Sequence, residues 1–313
     1  MLGRTGLGKW LGATVGAVVA FAGAGVHPVA AGAPVGGGGG GDPAASAAPV
    51  AGDDVDDPAA APVAGGVVRY NVEQAHSPHV QAELATSTTP TRGAGRVRGI
   101  DVASHQHPHG AAINWKRVAR GGYRFAGVKS TEGRYYANPH RTKDQNGARA
   151  AGMYVFAYHF AIPNVSGGAA QAAYFLDRAG YRTDGKTLNP VLDIEWNPYV
   201  SDDHTNACYG FSKKRMIRWI SGFVREVKRR TGVPATIYTA AAWWNQCTGG
   251  TSAFARNPLW VASIADRPTL PRGWSKWTLW QYGQTDVKGI KARTDVNYVN
   301  GGVRTLAALA RGR

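Results

Sequence analysis

Cysteine is almost missing from this sequence: Cys208 and Cys247 are the only two among 313 residues. So few, so far apart, argue against a cysteine-built metal site and against a thiol nucleophile. Long apolar runs are missing beyond the N-terminus, where no stretch reaches the ~20 residues that span a bilayer. Lys/Arg runs interleaved with aromatics, the mark of a nucleic-acid groove, do not occur, and no nucleic-acid recognition motif is found. Carboxylates are scarce too. Of the 36 Lys+Arg and 20 Asp+Glu, the first 96 residues hold five and seven, which leaves 31 basic against 13 acidic residues, a net +18, in the remainder. A field of that sign favours a polyanionic partner, whether nucleic acid, a membrane surface or an acidic cell wall, and charge alone does not choose.

What is present begins with a leader. Arg4 and Lys9 precede the apolar stretch Trp10 to Val26, and the small residues Val29-Ala30-Ala31-Gly32-Ala33 follow, in the order of a secretory signal peptide. Residues 1–33 are therefore expected to direct export; the apolar stretch is short and diluted with Gly, which argues against an uncleaved anchor. Export gives the cysteines a meaning, since in an oxidising compartment Cys208 and Cys247 are expected to pair as a structural disulfide. Residues 34–96 open with Gly, Ala, Pro and Val around the acidic patch Asp53-Asp54-Val55-Asp56-Asp57. Large apolar side chains are too few there to offset ordering entropy, so the segment reads as a disordered linker or propeptide.

From Gly99 the character changes. Eight apolar runs recur: Gly99 to Ala103, Phe125 to Lys129, Met153 to Phe160, Pro190 to Glu195, Ala235 to Tyr238, Leu259 to Ala262, Trp277 to Tyr282 and Thr294 to Tyr298. Continuous apolar runs suggest strands buried on both faces, as in a parallel sheet. Helices fit between the first five, most clearly Ser212 to Arg230, where Met216, Ile217, Ile220, Phe223, Val224 and Val227 fall at helical spacing; Gly167 to Tyr181 and Arg141 to Ala151 are further candidates. After the fifth run the gaps shorten and carry Pro268 and Pro271. The reading is an α/β, TIM-like barrel over residues 97–313, with a helical ring over its first half only. Functional groups of such barrels lie at the C-terminal strand ends. Asp101, Lys129 to Glu132, Tyr158 and His159, Asp193 and Glu195, and Gln281 and Tyr282 fall at such run ends and Asp295 lies at the eighth run, so five of the 13 acids are expected at the barrel mouth.

Asp193 and Glu195 carry the sharpest chemical signal. Alternate strand residues share a face, so the two carboxyls point together while Ile194 points away. Two residues of strand rise set their backbones about 6.6 Å apart, between the carboxyl separations of retaining and inverting sugar hydrolases. Crowded like charges separate two pKa values, which is how one acid keeps its proton while the other ionises. The same Asp-x-Glu also fits a strand end with two solvated charges.

The ordered set of motifs decides more than any one of them. Gly99-Ile100-Asp101-Val102-Ala103-Ser104-His105-Gln106 with Ile113-Asn114-Trp115, Val128-Lys129-Ser130-Thr131-Glu132-Gly133, Tyr158-His159-Phe160, Asp193-Ile194-Glu195, Trp280-Gln281-Tyr282 and Thr294-Asp295-Val296-Asn297 together resemble the family 25 glycoside hydrolases, muramidases that degrade peptidoglycan. The resemblance implies a modified (β/α)5(β)3 barrel that cleaves the β-1,4 bond between N-acetylmuramic acid and N-acetylglucosamine without a metal or other cofactor. Carried over by motif, Glu195 is the general acid, and Asp193 stabilises the intermediate, directly or by orienting the substrate's 2-acetamido oxygen as nucleophile, the latter being favoured. Asp101 and Asp295 complete the acidic set, tuning Glu195 upward and binding sugar hydroxyls.

Sugar grooves present aromatic faces beside a few polar groups. Tyr158, Trp196, Tyr238 and Tyr282 are the aromatic candidates, with Lys129, Glu132 and Gln281 as polar contacts; Trp260 and Trp280, inside apolar runs, read as core, and Glu132 also reads as half of an ion pair. His105, His107 and His109 alternate as zinc ligands can, yet only His105-Gln106 fits the resemblance, and no metal is expected. The expected partners are peptidoglycan strands and anionic wall polymers, met outside the cell by a monomer with no nucleic-acid or membrane role after signal cleavage. Two competing readings stand beside this one: a glycan-binding module on the same barrel without turnover, and a cationic binder of nucleic acid or membranes.

Overall fold

The computed structural model describes residues 96–312. The expectations for 1–33 and, apart from Arg96, for 34–96 lie outside the described residues. Each of the eight apolar runs forms a strand: β1 Arg98–Val102, β2 Tyr123–Glu132, β4 Tyr154–Phe160, β5 Val191–Asp193, β6 Thr236–Ala240, β7 Leu259–Ala262, β8 Leu279–Thr285 and β9 Thr294–Val299. A short strand, β3 Tyr136–Ala137, has no counterpart among those runs and forms a hairpin with the end of β2. Pairing runs β1-β9-β8-β7-β6-β5-β4-β2, and β2 pairs back to β1, which closes an eight-stranded barrel. Within the closed barrel, which leaves out β3, every pair among β1, β2 and β4 to β8 is parallel, and β9 runs antiparallel to both its neighbours.

The helices are α1 Trp115–Arg120, α2 Arg141–Ala150, α3 Gly168–Leu176, α4 Val200–Asp203, α5 Lys213–Thr231, α6 Ala241–Thr248 and α7 Val303–Leu309. Helix fills each of the first five crossovers and none lies between β7 and β8 or between β8 and β9, so the described architecture is (β/α)5(β)3. α5 shows why the sequence folds this way. Ser212 accepts a hydrogen bond from the Arg215 amide at one end, and Gly232 at φ 74° ends the other, where its left-handed backbone favours glycine. Between them Met216, Trp219, Ile220, Phe223 and Val227 are buried at helical spacing, each worth roughly 1.5–3 kcal/mol. Gly168 of α3 lets the two helices approach, since a Cβ there would stand 2.0 Å from the Trp219 carbonyl oxygen.

Two apolar layers follow strand parity. Phe125, Phe156, Tyr158, Val191, Tyr238, Trp260, Leu279 and Val299 fill the barrel interior, and Leu306, Leu309 and Ala310 of the C-terminal segment pack with them. Ile100, Val128, Val155, Leu192, Ile194, Ile237, Val261, Trp280 and Val296 belong to the outer layer beneath the helices. Along β5 Val191 packs in the interior and Leu192 in the outer layer, and just beyond the strand Ile194 is again in the outer layer, so by alternation Asp193 and Glu195 face inward, where each lies within electrostatic reach of Lys129. Cys208 and Cys247 form the expected disulfide, Cα to Cα 5.4 Å, tying the β5–α5 loop to α6.

Candidate active site

Parity places the predicted acids together at one mouth. Asp101 lies near the C-terminal end of β1, Asp193 ends β5, and Glu195 follows two residues later. The strand expected to reach Glu195 stops regular pairing at Asp193, yet the Ile194 amide still donates to the Tyr238 carbonyl at 3.0 Å and keeps the backbone extended. Asp295 reaches the same mouth from the other direction. It is the second residue of β9, the strand that runs backwards, and it sits opposite Asp101 in the ladder. All four are buried, at 1 to 3% exposure.

Lys129 and Glu132 meet through a bulge. Residues three apart on a regular strand face opposite ways, but the β2–β4 register shifts between Lys129 and Thr131. Glu132 is thereby turned to Lys129's side, and the two buried groups pair at 2.6 Å. Glu132 also accepts hydrogen bonds from the hydroxyls of Tyr199 and Tyr135, the latter at 3.1 Å. The ion pair expected of Glu132 is therefore present, and it occupies the carboxylate.

Beneath the acids lies a polar relay. The Tyr238 hydroxyl donates to Gln281 at 2.8 Å, Gln281 donates to Asp101 at 3.2 Å, Asn297 donates to Asp101 at 2.7 Å, and the Trp260 indole donates to Asn297 at 2.8 Å. Asp101 is therefore held, whereas both oxygens of Glu195 and Oδ1 of Asp193 have no hydrogen-bond partner. Burying a carboxylate without partners disfavours its charged form. Burial, only partly offset by Lys129, pushes Glu195 from 4.5 up to about 8. Asp193 is raised well above 3.8 by burial first and then by the charge of Glu195, so the pair holds a proton at neutral pH. Asp101 rises to about 6 because burial outweighs the hydrogen bonds from Asn297 and Gln281, and Asp295 is raised by burial and by Asp101.

Sequence comparison matches residues 100–290 to the model of glycosyl hydrolases family 25, which covers more than half of the chain. The chain belongs to that family. It is 42% identical to lysozyme M1 of Streptomyces globisporus over 68% of this chain and 71% of the relative. It is 37% identical to an N,O-diacetylmuramidase of Chalaropsis sp over 69% of this chain and all of the relative. Among solved structures, the bacterial lysozyme of Streptomyces coelicolor superposes with a TM-score of 0.65 at 41% identity, covering 70% of this chain and 98% of the other.

Within this family 25 barrel the remaining predicted residues divide. Tyr158, Tyr238, Gln281 and Lys129 stand on the inner face with the acids, whose charges raise the two tyrosines further after burial itself. Trp196 is half-buried at the start of the loop after Glu195. Tyr282 is not brought to the acids. Its neighbour Gln281 faces inward, so Tyr282 faces outward and stacks on Tyr298 with ring centroids 4.1 Å apart. His159 likewise turns to the helices, bonding Gln171 and Thr131, and burial lowers it to about 3. His107 is bound to Asp144 at 2.8 Å and stacked on His140, and His109 is exposed; among the described residues no cluster of three or more His, Cys, Asp or Glu is placed to hold a metal. Asn297 and Tyr199 are polar partners to which sequence reasoning gave no role, while Trp260, read as core, is buried and in addition donates to Asn297. Only Asn297 left a signal, lying two residues after Asp295 and hence on its face.

Proposed function

We propose that the protein is a secreted or wall-associated muramidase that hydrolyses the β-1,4 bond between N-acetylmuramic acid and N-acetylglucosamine in peptidoglycan. The observation that carries this reading is the Asp193/Glu195 pair, on one inner face, with unpartnered oxygens and a retained proton. Glu195 gives its proton to the glycosidic oxygen as the C1–O bond breaks, which requires the acid to be protonated at working pH; a value near 8 satisfies that. The 2-acetamido oxygen of the muramic acid residue attacks C1 from the opposite side and forms a cyclic oxazolinium, while Asp193 accepts the acetamido N–H and offsets the positive charge. Water, deprotonated by the now ionised Glu195, then opens the ring and regenerates both the acetamido group and the protonated acid. Asp101, fixed by Asn297 and Gln281, and Asp295 supply negative potential around the developing cation. Lys129 limits how far the acids' pKa values climb.

The test is Glu195→Gln on purified walls. Lysis should fall by at least about 10²-fold, the usual contribution of a general acid, while wall binding persists. Undiminished lysis would remove Glu195 from the mechanism. Mass analysis of borohydride-reduced digestion products should find reduced muramic acid; reduced glucosamine would mean that the other bond is cut.

A further inference from the structure

The outer face of α5 is strongly one-sided in charge. Lys213, Lys214, Arg215, Arg218, Arg225, Lys228, Arg229 and Arg230 are exposed along this single helix, against one acid, Glu226, which is paired with Arg229. Three more of these cations are also engaged: Arg230 with Asp177, Arg215 over the Phe211 ring, and Lys228 on the Gly232 carbonyl. Lys213, Lys214, Arg218 and Arg225 make no ion pair or hydrogen bond among the described residues, and the last three form a row. At 100° per residue these three fall within an arc of about 40°, spread along roughly 16 Å of helix. Like charges lined up four and seven residues apart disfavour one another on a helix, so the row costs stability unless something anionic lies along it.

We infer that this stripe binds a linear anionic wall polymer of the phosphodiester class, alongside the glycan that the barrel mouth cuts. The inference rests on the muramidase reading for its setting, and on the surface itself for its chemistry. Aromatic rings that would stack on nucleobases are absent from the stripe, because Trp219 and Phe223 of α5 are buried beneath it. Apolar side chains that would enter a bilayer are absent as well: the exposed large hydrophobics of the described residues are Tyr135, Val165, Val200 and Val303, none of them on α5. A row of cations without either feature suits a polymer whose only regular attribute is its charge. Such a contact would tether the enzyme to its substrate and make that tether salt-dependent through counterion release.

The experiment uses the full chain and two charge-matched variants. Lys214→Gln/Arg218→Gln/Arg225→Gln removes three charges from α5, and Lys116→Gln/Arg120→Gln/Arg124→Gln removes three from the exposed basic residues at α1 and the start of β2. Binding is read by co-sedimentation with intact walls, with walls stripped of phosphodiester polymer by hydrofluoric acid, and by competition with poly(glycerol phosphate). The α5 variant should bind intact walls about tenfold more weakly, with a shallower salt dependence, and should match the wild type on stripped walls and in cleaving soluble uncharged glycan. The α1 variant should bind as the wild type does. Equal losses in the two variants would mean a diffuse field and overturn the stripe. Equal wild-type binding to intact and stripped walls would overturn the polymer, as would stronger competition by single-stranded DNA or by anionic vesicles than by poly(glycerol phosphate). Binding does not depend on cleavage, so an enzyme that binds in this pattern yet leaves walls intact would refute the muramidase reading alone.

Discussion

A carboxyl without hydrogen-bond partners in a buried site has consequences beyond catalysis. Glu195 titrates near 8 when folded and near 4.5 when unfolded. Between those values the folded chain keeps a proton that the unfolded chain has released, so stability falls as pH rises from about 4.5 to about 8. Glu195→Gln removes that loss. In calorimetry its Tm relative to wild type should climb across this window by roughly 5 °C or more and then level; a constant difference would mean that Glu195 is not the buried proton carrier. The same proton sets the alkaline limb of activity, which should decline as pH passes about 8. Asn297 makes the complementary case. Its amide holds Asp101 below where burial alone would put it and accepts the Trp260 indole. Asn297→Ala should raise the pKa of Asp101 above its present value of about 6 and move the acid limb of kcat/KM upward by about half to one unit. An unmoved limb in a folded variant would separate Asp101 from the rate.

At the scale of the strand, the irregularity in β2 does the positioning. Without the register shift after Lys129, Glu132 would face the helices and the buried ammonium would lack its carboxylate. Glu132→Ala should cost about 3–5 kcal/mol, the penalty of leaving a buried charge unpaired. Lys129→Met combined with Glu132→Met should cost less than that single change, and denaturant unfolding of the two variants against the wild type reads the difference. Nothing in Val128-Lys129-Ser130-Thr131-Glu132-Gly133 announces the bulge, because a register shift is decided by the neighbouring strand. Other features were written in the chain. Eight apolar runs of the right length became eight strands, and Ser212 and Gly232 bracket α5 as caps do. Parity also rules out drawing Gln281 and Tyr282 into one site together, since adjacent strand residues cannot share a face. The reversed direction of β9 was not legible, since direction depends on how the short connection from β8 turns, and that turn is what carries Asp295 to the mouth from a strand's beginning.

Across the whole barrel, the loop that follows Glu195 is long and broken only by the short α4, and one covalent bond secures it from outside. Its Asn197 donates to Asp203 and Thr205 and its Tyr199 reaches Glu132, while Cys208 further along is bonded to Cys247 of α6. The loop closed by the disulfide spans a sequence separation of 39 residues, for which chain entropy predicts about 4 kcal/mol of stabilisation. For a domain of this size that corresponds to a Tm lower by roughly 8–16 °C in Cys208→Ala/Cys247→Ala. The Trp243 indole, donating to the Ala207 carbonyl at 3.0 Å, and the tyrosine contacts remain in that variant, so the mouth should still form in the cold. Wall lysis should therefore be close to wild type at low temperature and be lost well below the wild-type melting point. Loss of activity at every temperature, with the fold intact by circular dichroism, would instead assign the bond a direct part in shaping the mouth.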